Sequence, residues 1–163
     1  MSNKQNLLVE LERETASTKK MLAALNDNVL DYKPHEKSMS MGSLAAHIVN
    51  LNNWISVGLG KDSLDLITDL PAITDRSVEG LQNALDDSFQ KAVDQIYKME
   101  DEDWTTEWTL KAGDRIILKM PKIAIFRFMI QNHMIHHRGQ LSVYLRMNDI
   151  PVPGMYGPSA DEK

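Results

Sequence analysis

Apolar residues recur at helical spacing in four stretches of the chain and alternate in one. Between Lys4 and about Leu25, the positions Leu7, Leu11, Thr15, Thr18, Leu22 and Leu25 step by threes and fours and stop at Asn26-Asp27-Asn28, which predicts an amphipathic helix. Tyr32 to Ser38 is polar, and Pro34 disfavours helix at Lys33, so this segment reads as a loop. A second helix is predicted from near Ser40 to the glycines of Gly58-Leu59-Gly60, with Leu44, His47, Leu51, Trp54 and Gly58 on one face. Lys61 to Arg76 is mixed, holds Pro71 and reads as a connecting loop. Ser77 suits the N-cap of a third helix whose inward face carries Val78, Leu81, Leu85, Ser88 and Ala92 and continues to Met99.

Between Asp103 and Met120 the period shortens to two. Trp104, Thr106, Trp108 and Leu110 alternate with Thr105, Glu107 and Thr109, and Lys111-Ala112-Gly113-Asp114 supplies a turn before Arg115 to Lys119, which predicts a short hairpin. Pro121 fits the first turn of a last long helix ending near Met147, with an inward stripe of Phe126, Ile130, His133, His137, Leu141 and Tyr144. Pro151 and Pro153 forbid its continuation, and residues 154–163 hold too little apolar matter for an element of their own. Four apolar-faced helices predict an all-α fold, a four-helix bundle forming a single domain over residues 1–163, with a short β-hairpin in the connection before the last helix. The pattern does not fix the order of the helices in space.

The chemistry suggested by the pattern lies in its histidines. Three of the five fall within His133-Met134-Ile135-His136-His137, inside an apolar run. Positions four apart on a helix lie about 40° apart and can offer two imidazoles to one ion. His133 and His137 have that spacing and lie on the apolar stripe, whereas His136 falls off it. His47, in the middle of the second helix's apolar face, supplies a third nitrogen donor from another helix. Spacing alone leaves two readings open, a three-His metal site and ordinary core histidines held by hydrogen bonds. His35, in a polar loop, has no evident role.

Leu44-Ala45-Ala46-His47-Ile48, then His133-Met134-Ile135-His136-His137-Arg138-Gly139-Gln140-Leu141, then Val152-Pro153-Gly154-Met155-Tyr156-Gly157-Pro158 together resemble the DinB-like family over nearly the whole chain. The resemblance implies a four-helix bundle, often a homodimer, in which the single helix-borne His and the later His-x-x-x-His pair hold a divalent metal. Carried onto this chain, it assigns metal binding to His47, His133 and His137, the trio on the stripes. It also implies activities such as transfer of a low-molecular-weight thiol or metal-dependent hydrolysis.

Three neutral imidazoles suit several divalent transition metals, with Zn or Ni preferred here, and three protein ligands leave a coordination position for water or substrate. The stripes carry no acidic residue to close the site. Arg138 and Tyr144 are the candidate catalytic residues. Arg138 is suited either to steer an anionic substrate or to pair with a carboxylate, and Tyr144 either to reach the cavity or to pack in the core. Gln140 and Asn132 are suited to orient a ligand imidazole, to bind substrate or to bond between helices.

Composition narrows the remaining possibilities. The chain has no cysteine, so any sulfur nucleophile has to come from a small-molecule thiol, and no disulfide framework points to secretion. No apolar run reaches the ~18 residues of a membrane span, and the N-terminus lacks a signal-peptide core, so a cytoplasmic protein without membrane contact is expected. A net charge of −5 disfavours nucleic acid as a partner. The reading that results is a metal-dependent thiol S-transferase. A hydrolase and a non-catalytic metal-binding or stress-response dimer stand as alternatives.

Overall fold

The computed structural model describes residues 3–162. Helix α1 (Asn3–Ala23) is followed by a 3-10 turn (Asp27–Val29), helix α2 (Met41–Trp54) and a π-helical extension (Ile55–Leu59). Strand β1 (Ser63–Asp65), helix α3 (Val78–Lys98), a 3-10 turn (Glu102–Thr105) and strands β2 (Glu107–Ala112) and β3 (Arg115–Pro121) come next. The last helical column consists of α4 (Lys122–Ala124), a π segment (Ile125–Gln131) and α5 (Asn132–Met147). The fold is mostly helical with a small sheet, as the periodicities predict.

Local chemistry sets the helix starts. Ser40 and Ser77 lie in extended backbone and accept from the backbone N–H of Ser43 and Gly80, satisfying donors that the first helical turn leaves free. Asp27 adds a long-range cap, its Oδ1 accepting from Val78 N at 2.7 Å and tying the first connection to α3. In the bundle α2 packs on α3 and α5, and α1 packs on the same two helices. Neighbours in sequence, α1 and α2, therefore sit on a diagonal, as long connections permit. One core runs through all four columns and includes Leu7, Leu22, Leu44, Leu51, Leu85 and Ile130, all at most 1 % exposed.

Three expectations change. Residues 63–65, read as loop, form β1, which pairs parallel to β2 with Leu64 beside Leu110, so the sheet has three strands instead of a hairpin alone. Three residues are too few for a periodicity to register. Trp104 belongs to a 3-10 turn, and the strand starts at Glu107. Both Trp104 and Trp108 are nevertheless fully buried, and Trp108 Nε1 donates to the Gly58 carbonyl at 3.1 Å, locking the sheet onto the end of α2. A Cβ at Gly58 would meet the Trp108 ring at 3.2 Å, so the glycine permits this close approach. Pro121 closes β3 opposite Glu107 and also caps α4, one position before the first helical turn instead of within it.

The last column also departs from a uniform 3.6-residue period. Its π segment ends with Asn132 N–H on the Arg127 carbonyl, five residues back, directly before His133. A wide turn shifts the phase of everything upstream, and such turns frequently mark functional sites. Within α5 the buried residues are Met134, Arg138, Leu141, Tyr144 and Leu145, while His133 and His137 are half-buried. The histidines thus stand at the edge of the buried face, with Met134 and Arg138 turned toward α1.

Candidate metal centre

Helix α2 is buried on almost every side, and Ser43, His47 and Asn50 are its half-buried positions. Spaced at i, i+4 and i+7, they form a polar stripe along an otherwise apolar helix. His47 leaves this stripe toward α5, where His133 and His137 lie one turn apart. His47 Nε2 stands 3.4 Å from His133 Nε2, and His137 Nε2 stands 2.8 Å from His133 Nε2. One donor atom from each ring lies within 4.8 Å of the other two, and no Asp or Glu among the described residues joins this group. The Trp54 ring meets His133 edge-on, with centroids 6.4 Å apart, and walls one side.

Second contacts fix the tautomers. His133 Nδ1 faces the Met129 carbonyl at 3.3 Å, and His137 Nδ1 faces Gln140 Oε1 at 2.7 Å. Both acceptors require N–H on Nδ1, which leaves the two Nε2 atoms as bare lone pairs directed at each other. Two lone-pair nitrogens at 2.8 Å repel unless a cation lies between them.

A proton is disfavoured there. Burial, with the neighbouring His137 and His133 rings as smaller causes, lowers the His47 pKa from 6.5 to about 4. His133 is lowered for the same leading reason, with His137 adding and the Met129 carbonyl opposing. The His47 and His133 rings therefore stay neutral at neutral pH, the form that binds metals. Two nitrogens on one tetrahedral ion at ~2.0–2.1 Å lie about 3.4 Å apart, which the His47–His133 spacing matches and the His133–His137 spacing slightly undercuts. The donor set fits a divalent transition metal.

The structure brings His47, His133 and His137 together and leaves His136 exposed on the outer face. Arg138, 2 % exposed, is directed away from the three rings. Its Nη2 pairs with Glu14 Oε2 at 2.5 Å and bonds Tyr156 Oη at 2.6 Å, and its Nη1 bonds the Glu14 carbonyl and Thr18 Oγ1. Tyr144 Oη meets the Met39 carbonyl at 3.4 Å, and its ring packs edge-on against Tyr32. Gln140 orients His137, one of the roles open to it from sequence, and Asn132 is exposed.

A cleft of about 250 Å³ adjoins His47, lined by Ser43, Asn50, Ile73 and Arg76 among others. Sequence reasoning passed over these residues. The polar stripe Ser43-His47-Asn50 was a detectable signal, while Arg76 lies in a loop whose path no periodicity gives.

The whole chain, residues 1–163, matches the family model of the DinB family. It is 29% identical over 157 residues to the uncharacterized protein YrdA of Bacillus subtilis (strain 168), covering 96% of this chain and 90% of that one. A crystal structure of a DinB-like protein from Bacillus cereus ATCC 10987 superposes with a TM-score of 0.72 at 29% identity, covering 93% of this chain and 97% of the other. A second, the DinB-like protein YjoA of Bacillus subtilis, is similar in fold alone, with a TM-score of 0.73 at 19% identity over 97% and 99% of the two chains. The chain belongs to the DinB family.

Proposed function

We propose that this protein binds one divalent transition metal, Zn or Ni, through His47, His133 and His137, and that it is a metal-dependent thiol S-transferase. The observation that carries the reading is the pair of Nε2 lone pairs held 2.8 Å apart by acceptors on both Nδ1 atoms, with His47 Nε2 beside them. A divalent ion with an open position supplies acidity, lowering the pKa of a bound thiol or water so that a nucleophile is available at neutral pH.

The protein's own part is to hold three imidazoles together, to wall them with Trp54, and to open a cleft beside His47. The chain has no cysteine, so the sulfur belongs to a small-molecule thiol. The thiol proton passes to solvent, sulfur forms a bond to the carbon of an electrophile, and the leaving group departs with its electron pair. Hydrolysis is the weaker reading because metal hydrolases commonly set a Glu beside the ion as general base, and no carboxylate among the described residues joins the three rings. A binding protein without turnover is the reading left if neither reaction occurs. Arg138 and Tyr144, the candidate catalytic residues, are assigned to holding the helices together.

The test is conjugation of a cysteine-derived low-molecular-weight thiol to a haloaromatic electrophile, with His133→Ala as control. Metal-dependent conjugation above that control supports the transferase. Metal-dependent ester or amide cleavage without conjugation transfers the assignment to hydrolysis. The homodimer belongs to the same proposal, and light scattering at micromolar concentration giving a mass near 18.5 kDa overturns that part.

A further inference from the structure

The cleft beside His47 has a chemical character of its own. Its wall residues are Ser43, Ala46, His47, Asn50, Pro71, Ala72, Ile73 and Arg76, none of them a carboxylate. Arg76 is exposed, and its one hydrogen bond among the described residues is a long one, Nη1 to Ser43 Oγ at 3.4 Å. The carboxylate of its neighbour Asp75 is turned to the start of α3, where Oδ1 accepts from the backbone N–H and the hydroxyl of Ser77 at 3.0 and 2.7 Å, and among the described residues it makes no ion pair with Arg76. Two turns along α2 from Ser43, Asn50 Oδ1 accepts from Asn53 Nδ2 at 2.8 Å, which leaves the amide N–H groups of Asn50 available to a ligand. A chain of net charge −5 thus places in one small cleft, which shares His47 with the three-His cluster, an amide donor and a guanidinium that has no ion-pair partner among the described residues.

We propose that this cleft is a carboxylate subsite, in which Arg76, with Asn50 lining the same cleft, holds the carboxylate of the substrate whose thiol is activated at the histidines. The inference rests on the metal-site reading above. A planar guanidinium matches a carboxylate through paired N–H bonds, and a single cation with one amide donor balances a monoanion. A phosphate dianion would call for more cations than this wall supplies. The two anchors select thiols that carry a carboxylate a few bonds from sulfur over neutral thiols of equal size.

The test uses the full chain loaded with Co(II), whose visible absorption reports thiol binding without turnover. Metal content of wild type, Arg76→Ala, Arg76→Lys and the exposed-arginine control Arg115→Ala is measured first, and all four are expected to carry the same amount. Each is then titrated with 3-mercaptopropionate and with neutral 3-mercapto-1-propanol. Wild type and Arg115→Ala are expected to favour the carboxylate by about tenfold, Arg76→Lys by less, and Arg76→Ala not at all. A metal-loaded wild type without the preference, or an Arg76→Ala protein that keeps it, overturns the subsite while leaving the metal site standing. A chain that takes up no metal overturns both.

Discussion

His133 Nε2 lies 2.8 Å from His137 Nε2 while both rings give their Nδ1 hydrogens to fixed acceptors, Met129 O and Gln140 Oε1. Helical spacing alone puts two such rings on one face, but it does not decide which nitrogen each presents. Here the acceptors decide, and the free lone pairs converge with that of His47. Elemental analysis of the purified protein is expected to give about one divalent transition metal per chain. His47→Ala, His133→Ala and His137→Ala should each deplete it, and His136→Ala should not. Loss in His136→Ala with retention in His137→Ala would reverse the assignment.

Gln140 makes a finer test, because it touches the cluster only through His137 Nδ1 and is otherwise exposed. Partners of this kind hold a ligand ring's tautomer and orientation, and their removal typically weakens metal binding ten- to a hundredfold. Gln140→Ala is expected to lower affinity within that range with little change in the thermal midpoint, whereas Gln140→Glu, which keeps an acceptor, should retain most of it. Competition with a chromophoric chelator measures both. Unchanged affinity in Gln140→Ala would show that the helix backbone alone orients His137.

Protonation acts on the same rings. His47 titrates at about 4 in the folded chain against an ordinary 6.5, chiefly because of burial. Between those values the unfolded chain holds more protons on this ring, so the folded state gains stability as pH rises through the window. The contribution is complete above about pH 6.5 and is lost as pH falls toward about 4. Metal binding follows the same direction, since ions take neutral imidazoles. Urea midpoints of the metal-free protein are expected to fall between pH 6.5 and 4, and to fall less in His47→Gln; equal slopes in the two proteins would contradict the His47 shift.

The parts of this molecule that were legible in the sequence are those governed by a sustained period. The four helices, the start of the second near Ser40, the Ser77 cap and the hairpin around Gly113 follow from spacing and turn chemistry to within a few residues. The pairing of Leu64 with Leu110 is a contact between distant segments that leaves no local trace. The three histidines were legible because ligand spacing and apolar phase agree. Their position at the edge of the buried face was not, because a π turn before His133 shifts the phase on which the stripe was drawn. Arg138 was ambiguous for a related reason. Its partners, Glu14 and Tyr156, lie 124 and 18 residues away in sequence.

That network gives the last prediction. Arg138 and Glu14 have side chains 2% and 16% exposed and meet at 2.5 Å, and Tyr156 Oη donates to the same Glu14 oxygen at 2.7 Å, holding the C-terminal segment against α1. The Tyr156 ring is largely exposed, but partial desolvation of its hydroxyl, reinforced by the hydrogen bond to Glu14, pushes it up to about 12, so it remains a donor throughout the ordinary pH range. Removing one member of a buried pair strands the other charge away from water, which costs about 3–5 kcal/mol, while replacing both partners removes that penalty. Arg138→Met is expected to lose about 3 kcal/mol, at the low end because Glu14 keeps some solvent contact, and Arg138→Met with Glu14→Leu should lose less than the single change. Tyr156→Phe should cost about 1 kcal/mol. Urea unfolding measures all three, and metal content of the folded fraction separates this scaffold role from a part in the site. If Arg138→Met keeps its stability but loses a thiol-dependent activity, the residue serves substrate, and its assignment to holding the helices is overturned.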